Sequence, residues 1–199
     1  MKKLFIASAI ALFATVSAQE SDSSVKGFVK GDTFITGAVG YASTKTGNDK
    51  TNAFTVAPSA AYFVTPNVAV GARVGYLNLT NDDSIVKTKL DQFSAGIYGR
   101  YYWMAASRFS IFAELGADYT NSSYDDGIVP TVKAKSNGFG VAFAPGINYF
   151  LDNNFALEAK VGVAGYSSDK PDFAGAKSTD NFSIGLNLND ITLGLVYKF

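Results

Sequence analysis

The chemistry open to this chain belongs to carboxylates, guanidinium and ammonium groups, phenols and hydroxyls, because its 199 residues include no histidine and no cysteine. The usual general base at neutral pH and the commonest metal ligand are therefore both missing. There is no thiolate nucleophile, disulfide framework or lipid-modified amino terminus either. Two adjacent carboxylate pairs, Asp82-Asp83 and Asp125-Asp126, come nearest to an acid/base or calcium constellation. Both fall in polar stretches where solvated charge is ordinary, and neither has the regular oxygen-ligand spacing of a calcium loop. No phosphate-cradling glycine motif occurs. The expectation is a non-enzymatic chain without cofactor or metal. A second set, Arg73, Arg100, Glu114, Glu158, Lys160 and Lys198, consists of single charges inside otherwise apolar stretches. Such charges must be paired wherever they are buried, so the elements that position them come next.

After residue 30 the pattern is period two, the signature of strands. Phe109, Ile111, Ala113, Leu115, Ala117 and Tyr119 alternate with Ser110, Phe112, Glu114, Gly116 and Asp118. The segment from Pro58 through Tyr62-Phe63, Asn67, Ala69, Ala72 and Val74-Gly75 is matched again from Pro145 through Tyr149-Phe150, Asn154, Ala156, Ala159 and Val161-Gly162. A third copy starts at Phe109. Each copy is built on strand, tight turn and returning strand, and superposition places Arg73, Glu114 and Lys160 at one equivalent position. Eight strands follow, at about 33–43, 52–63, 67–79, 89–102, 108–120, 137–150, 154–167 and 181–199. Short turns at 64–67, 104–107 and 151–153 alternate with polar loops at 44–51, 80–88, 121–136 and 168–180, the pattern of a transmembrane barrel with its short turns on the periplasmic side. Pro58 and Pro145 inside strands predict a bulge or local distortion at each. The apolar parity shift between Leu188 and Ile191 predicts a β-bulge near Asn189-Asp190.

Residues 1–18 carry Lys2 and Lys3, an apolar run from Leu4 to Val16 and small residues at Ser17-Ala18, which is what a secretory signal peptide requires. Cleavage after Ala18 leaves a short periplasmic segment over 19–31 and a single domain over 32–199. It also removes two of the 17 basic residues, leaving 15 against 17 acidic ones. No clustered basic face points to nucleic acid. Beyond the signal no apolar run is long enough for a helical span, so residence in a membrane requires a closed barrel.

Alternation alone does not say which face meets lipid. Aromatics near strand ends (Tyr41, Tyr62, Tyr76, Tyr119, Tyr149) suit interfacial girdles, and glycine, alanine and single charges on the opposite faces suit a narrow polar interior. The chain ends Thr192-Leu193-Gly194-Leu195-Val196-Tyr197-Lys198-Phe199. This resembles the carboxy-terminal assembly signal of bacterial outer-membrane barrels, with Thr192, Gly194, Tyr197 and Phe199 at its defined positions. Residues 32–199 resemble the small outer-membrane β-barrel superfamily of OmpX-like, opacity-like and "porin family" proteins. The stretch Tyr62 to Gly71 is similar to the periplasmic hairpin of such barrels from Bacteroidota-type bacteria.

The resemblance implies an eight-stranded antiparallel, up-and-down transmembrane β-barrel in the cell outer membrane. It would be monomeric, embedded among outer-membrane lipid and lipopolysaccharide, and inserted by the barrel-assembly machinery. Small barrels of this kind that act as acyltransferases, deacylases or proteases place histidine with serine or a carboxylate, so their mechanisms do not carry over. An eight-stranded interior is only wide enough for side chains to fill. Arg73, Arg100, Glu114, Glu158, Lys160 and Lys198, with Tyr98, Tyr102 and Asp118, are therefore expected to form a lumen network. Two functions remain: a plugged scaffold presenting surface loops for envelope structure, adhesion or interaction, or a small channel for solutes or apolar molecules. Tyr124, Asp125 and Asp126 in the longest loop are the candidates for surface contact.

Overall fold

The computed structural model describes residues 25–83, 86–128, 133–186 and 191–199. The expected signal peptide lies outside these residues. The elements are β1 (Thr33–Thr46), β2 (Asp49–Phe63), β3 (Val68–Asp83), β4 (Val86–Trp103), β5 (Phe109–Asp125), β6 (Lys133–Phe150), β7 (Phe155–Val161), β8 (Ala164–Pro171), β9 (Thr179–Ile184) and β10 (Ile191–Lys198). Sequential neighbours pair antiparallel from β1 to β6, and β10 joins β1 to β7. β7 and β8 together make the seventh wall strand, since both pair with β6. β9 and β10 make the eighth. The result is a closed, up-and-down, eight-stranded antiparallel barrel.

The wall strands run longer than the periodicity predicts, and on the outer side they consume most of the expected loops. β1 and β2 stay in register to Thr46 and Asp49, so the loop placed at 44–51 is a tight turn carrying Gly47 at φ 64°. β3 and β4 pair out to Asp83 and Val86, and β5 and β6 to Asp125 and Lys133. Polar residues thus extend the ladders above the apolar band. The composition of these segments reports their solvation, not the end of their pairing.

Both prolines interrupt pairing, but differently. β2 and β3 keep one register on either side of Ala57-Pro58 while the paired positions skip from Val56 to Ser59, so the distortion there adds no residue. Opposite Phe143 to Gly146 the seventh strand carries one residue too many, with β7 and β8 separated by Gly162-Val163. The eighth strand breaks at the same height. Tyr166 pairs Phe182, and Leu157 pairs Leu195, so the outward parity does shift between Ile184 and Ile191. Residues 187–190, where the bulge was expected, lie outside the described residues.

Burial settles the orientation of the sheet. Outward Val39, Ile97 and Leu115 are 77%, 68% and 59% exposed, whereas inward Arg100 and Glu114 are 2% and 3% exposed. That inversion is stable only where the surroundings are hydrocarbon. An aromatic rim that includes Tyr62, Tyr101, Trp103 and Phe199 marks the short-turn end. The other rim is built from a unit repeated in all four outer hairpins, with a tyrosine directly opposite a phenylalanine: Tyr41 with Phe54, Tyr76 with Phe93, Tyr119 with Phe139 and Tyr166 with Phe182. Each hydroxyl donates to an Asn or Asp two residues before that phenylalanine: Asn52 at 3.4 Å, Asp91 at 2.7 Å, Asn137 at 2.7 Å and Asp180 at 3.3 Å. The two rims bound the lipid-facing band.

Candidate functional site

The interior is stacked in layers, set by which residues face inward along each strand. At the short-turn end Phe34, Phe63, Tyr102, Phe112 and Phe150 point into the barrel and are fully buried. Into their centre comes Phe28, also fully buried, from the segment before β1. Its ring lies 4.7 Å from Phe63, 4.9 Å from Phe150 and 5.0 Å from Phe34. Backbone bonds hold it there: the N–H of Phe28 donates to the Ala105 carbonyl at 2.7 Å and that of Gly27 to the Ala106 carbonyl at 3.0 Å. Residues 25–32 therefore cross beneath the barrel mouth as a floor. Sequence reasoning missed this, because a short segment without periodicity gives no sign of where its phenylalanine will go.

Above the floor lies the ionic layer. Arg100 on β4 stands directly across from Glu114 on β5. Its Nε donates to Glu114 Oε2 at 2.7 Å, while its Nη1 and Nη2 donate to Glu158 Oε2 and Oε1 at 2.6 and 3.0 Å. Nη1 also donates to the Tyr102 hydroxyl at 3.1 Å. Glu114 Oε1 accepts from Arg73 Nη1 at 2.6 Å and from Lys160 Nζ at 3.0 Å. Arg73 completes its fork on Asp118, with Nε to Oδ1 at 2.6 Å and Nη2 to Oδ2. Three cations thus meet three carboxylates, and bidentate geometry on Glu158 and Asp118 directs the donors as strong charge-assisted bonds require. The Arg100 guanidinium also lies over Phe112 at 4.4 Å and Tyr98 at 5.0 Å, so its flat faces are covered by ring π-density.

Small residues make room for this layer. A Cβ on Gly116 would stand 2.3 Å from Arg73 Nη2, so a side chain at 116 would displace the guanidinium. Over the ions is a cavity of about 100 Å³ lined by Thr36, Ser59, Arg73, Glu114, Lys160 and Thr192 among others. Among the described residues no cluster of acidic side chains is arranged to hold a metal.

The structure brings Arg73, Arg100, Glu114, Glu158 and Lys160 into one network, with Asp118 and Tyr102 as members. Lys198 stands apart. Its Nζ donates to the Gly27 carbonyl at 2.6 Å, lies 3.8 Å from Asp32 and caps the Phe150 ring at 5.2 Å, so it fastens the floor. Its side chain faces inward, but its height along β10 places it at the short-turn end. Thr192 and Gly194 on β10 face the lumen near Lys160 and Glu158, while Tyr197 packs between Phe155 and Phe199 on the outer rim. Tyr124 and Asp125 belong to the outer end of β5 rather than to a loop, and Asp126 follows directly.

Residues 6–199 match the family model described as the outer membrane protein beta-barrel domain. The chain belongs to that family. Its place is accordingly the cell outer membrane, with the lipid-facing band between the two aromatic rims. No curated protein matches in sequence. Among solved structures, the outer membrane protein OprG from Pseudomonas aeruginosa is similar at 17% identity and a TM-score of 0.56, over 87% of this chain and 98% of that one. Neisserial surface protein A aligns at 17% identity and a TM-score of 0.49, over 85% and 100%. The attachment invasion locus protein Ail of Yersinia pestis aligns at 12% identity and a TM-score of 0.46, over 86% and 100%. At such identities the likeness to the OprG structure speaks for the fold alone.

Proposed function

We propose that this outer-membrane barrel is a plugged, non-enzymatic scaffold that carries its outer hairpins above the membrane for envelope structure, adhesion or another surface interaction. The observation that carries the reading is the double seal: a charge-balanced ionic layer resting on a floor of aromatic rings, with Phe28 wedged beneath. Opening a path would require breaking bidentate ion pairs in a narrow, poorly solvated interior, which is far more costly than leaving them intact. The elongated hairpins fit the same reading, since strands paired well beyond the apolar band form a stiff platform. Tyr124, Asp125 and Asp126 lie on the outermost part of that platform and are our candidates for contact. The carboxy-terminal Thr192, Gly194, Tyr197 and Phe199 suit recognition by the assembly machinery, and the protein acts as a monomer in this proposal.

The test is conductance of the refolded mature chain in planar bilayers. Current at the level of the bare membrane supports the scaffold. Steady ohmic steps that disappear when the same chain is left unfolded would establish the channel reading instead, in which the small cavity above the ions is part of a solute path.

A further inference from the structure

The short-turn end carries two cationic side chains that neither the ionic layer nor the floor uses. Arg108 stands at the foot of β5, and its carbonyl accepts from the N–H of Phe150, the last residue of β6. Its Nε donates back to the Phe150 carbonyl at 3.0 Å, and its guanidinium lies over the Tyr149 ring, 5.1 Å from the centroid. Arg108 is half-buried, yet both of its Nη groups are without an acceptor among the described residues. A guanidinium held in this way presents a fixed fork of donors, the geometry that suits a phosphate.

Lys26 reaches the same corner from beneath. Its backbone N–H donates to Asn153 Oδ1 at 2.9 Å in the β6–β7 turn, while the N–H of Gly27 binds Ala106 in the β4–β5 turn. These two turns flank Arg108 and Phe150, and Lys26 is exposed. Neither cation makes an ion pair among the described residues. The carboxylates at this end are engaged: Asp32 lies 3.8 Å from Lys198 Nζ, and Asp152 accepts from the Asn154 and Phe155 N–H groups. From this corner toward the membrane centre the outward face shows the Phe109–Tyr149 pair and then the Ile111–Ile147 pair. There a groove of about 260 Å³ opens, lined by Ile111, Pro145, Ile147, Ala159, Val161 and Ile191. Ala159 stands directly opposite Ile147, so its short side chain deepens the trough. The groove begins about 10 Å from Arg108 along β5, three residues on.

We infer that this corner binds an anionic glycerophospholipid of the periplasmic leaflet, its phosphate on Arg108 and Lys26 and one acyl chain in the groove. The short turns face the periplasm in barrels of this kind, so the site meets that leaflet. Its order of groups follows the lipid: cations at the headgroup, the Phe109–Tyr149 rings at the esters, the apolar trough at the chain. Two cations without carboxylate partners favour a headgroup of net negative charge over a zwitterionic one. The inference holds whether or not the lumen conducts.

Trp103, the single tryptophan of the chain, stands directly across from Ile111 on the outward face and senses a lipid bound there. The full mature chain is refolded into phosphatidylcholine vesicles containing a rising fraction of brominated phosphatidylglycerol, phosphatidylethanolamine or phosphatidylcholine, and quenching of Trp103 is followed. Brominated phosphatidylglycerol reaches half-maximal quenching at the lowest fraction. In the K26Q/R108Q variant that fraction rises roughly five- to thirtyfold, as loss of two cations from a lipid surface implies, while the charge-retaining K26R/R108K variant keeps the preference. The K50Q/K89Q variant, altered at the opposite rim, behaves as the parent. A heat-dependent gel shift verifies that each variant is a folded barrel. Equal quenching by the three lipids, a preference that survives in K26Q/R108Q, its loss in K26R/R108K, or an equal loss in K50Q/K89Q would each overturn the inference.

Discussion

Glu114 is the residue on which the ionic layer turns, and its replacement by alanine tests that layer most directly. The carboxylate accepts from Arg73, Arg100 and Lys160, and it is 3% exposed. Removing it leaves three cations with Asp118 and Glu158, so one positive charge stays buried without compensation. Truncating one member of a buried pair costs about 3–5 kcal/mol, mostly through the charge left behind. That is a large share of the roughly 5–15 kcal/mol that holds a typical native protein together. The companion variant R100M/E114L/E158L/K160M removes two cations and two anions together and leaves Arg73 with Asp118. Well-packed apolar replacement of a complete buried ion-pair set is often neutral or stabilising, so this variant is expected within about 1–2 kcal/mol of the parent. Urea unfolding in lipid vesicles, read by tyrosine and tryptophan fluorescence, measures both. A loss below about 1 kcal/mol for Glu114→Ala, the worth of one ordinary hydrogen bond, would refute the idea that the layer is tightly coupled. So would a quadruple variant that falls as far as the single one.

Phe28→Ala is expected to loosen the floor without opening the ionic layer, so trypsin cuts after Lys26 and Lys30 faster; unchanged cleavage would mean that the ring does not anchor the segment. Gly116→Ala should lose about 1–3 kcal/mol by displacing Arg73, whereas Gly99→Ala, where an added Cβ has nothing within 4 Å, serves as the silent control in the same urea series. Lys198→Met releases the Gly27 carbonyl, and amide exchange at Phe34 to Gly37 is expected to quicken more than exchange between β3 and β4. In the short turn before β7, the Asn154 and Phe155 N–H groups each donate to Asp152 Oδ1 at 2.7 Å, and these backbone bonds hold its carboxyl below the usual aspartate range. A depressed pKa stabilises the turn above the unfolded value of about 3.9 and loses that contribution as pH falls through the lower folded value. The two amide resonances should therefore move with a midpoint below 3.9, and one at or above it would contradict the bonding.

Strand number, closure and the inward set were legible because alternation is a strictly local consequence of the pleat. Arg73, Arg100, Glu114, Glu158 and Lys160 could be assigned to one face from parity alone. Arg100 and Glu114 could also be placed on neighbouring strands, but partners across the lumen could not, for these depend on the stagger of strands around the barrel: Arg100 and Glu158 are far apart in sequence and meet only there. The same stagger put Lys198 at the floor rather than in the network. Outer strand ends are not legible because Asn, Thr, Lys and Asp are ordinary loop residues, whereas cross-strand pairing carries them here as strands. The fourfold Tyr–Phe unit was visible in principle as Asx-x-Phe on each descending strand, but its meaning depends on register, which sets each tyrosine opposite.

The distribution of pairing around the wall explains why the floor exists at all. β2 through β6 are bound to one another over long ladders, with β3 and β4 in register from Val68 to Asp83. Among the described residues the closing seam is shorter, since β1 meets β10 from Phe34 to Gly37. A barrel whose last seam is short needs reinforcement at that seam, because an open edge in hydrocarbon leaves backbone groups unsatisfied. The reinforcement is concentrated there: the Phe199 N–H donates to the Thr33 carbonyl, and Lys198 Nζ to the segment carrying Phe28. Phe28 then packs on Phe34 of β1, on Phe63 of β2 and on Phe150 of β6 at once. One ring thereby ties strands from both sides of the short seam. The floor that blocks the short-turn end is also the clasp that keeps the wall closed, so losing Phe28 weakens both there while the ionic layer above still seals the lumen.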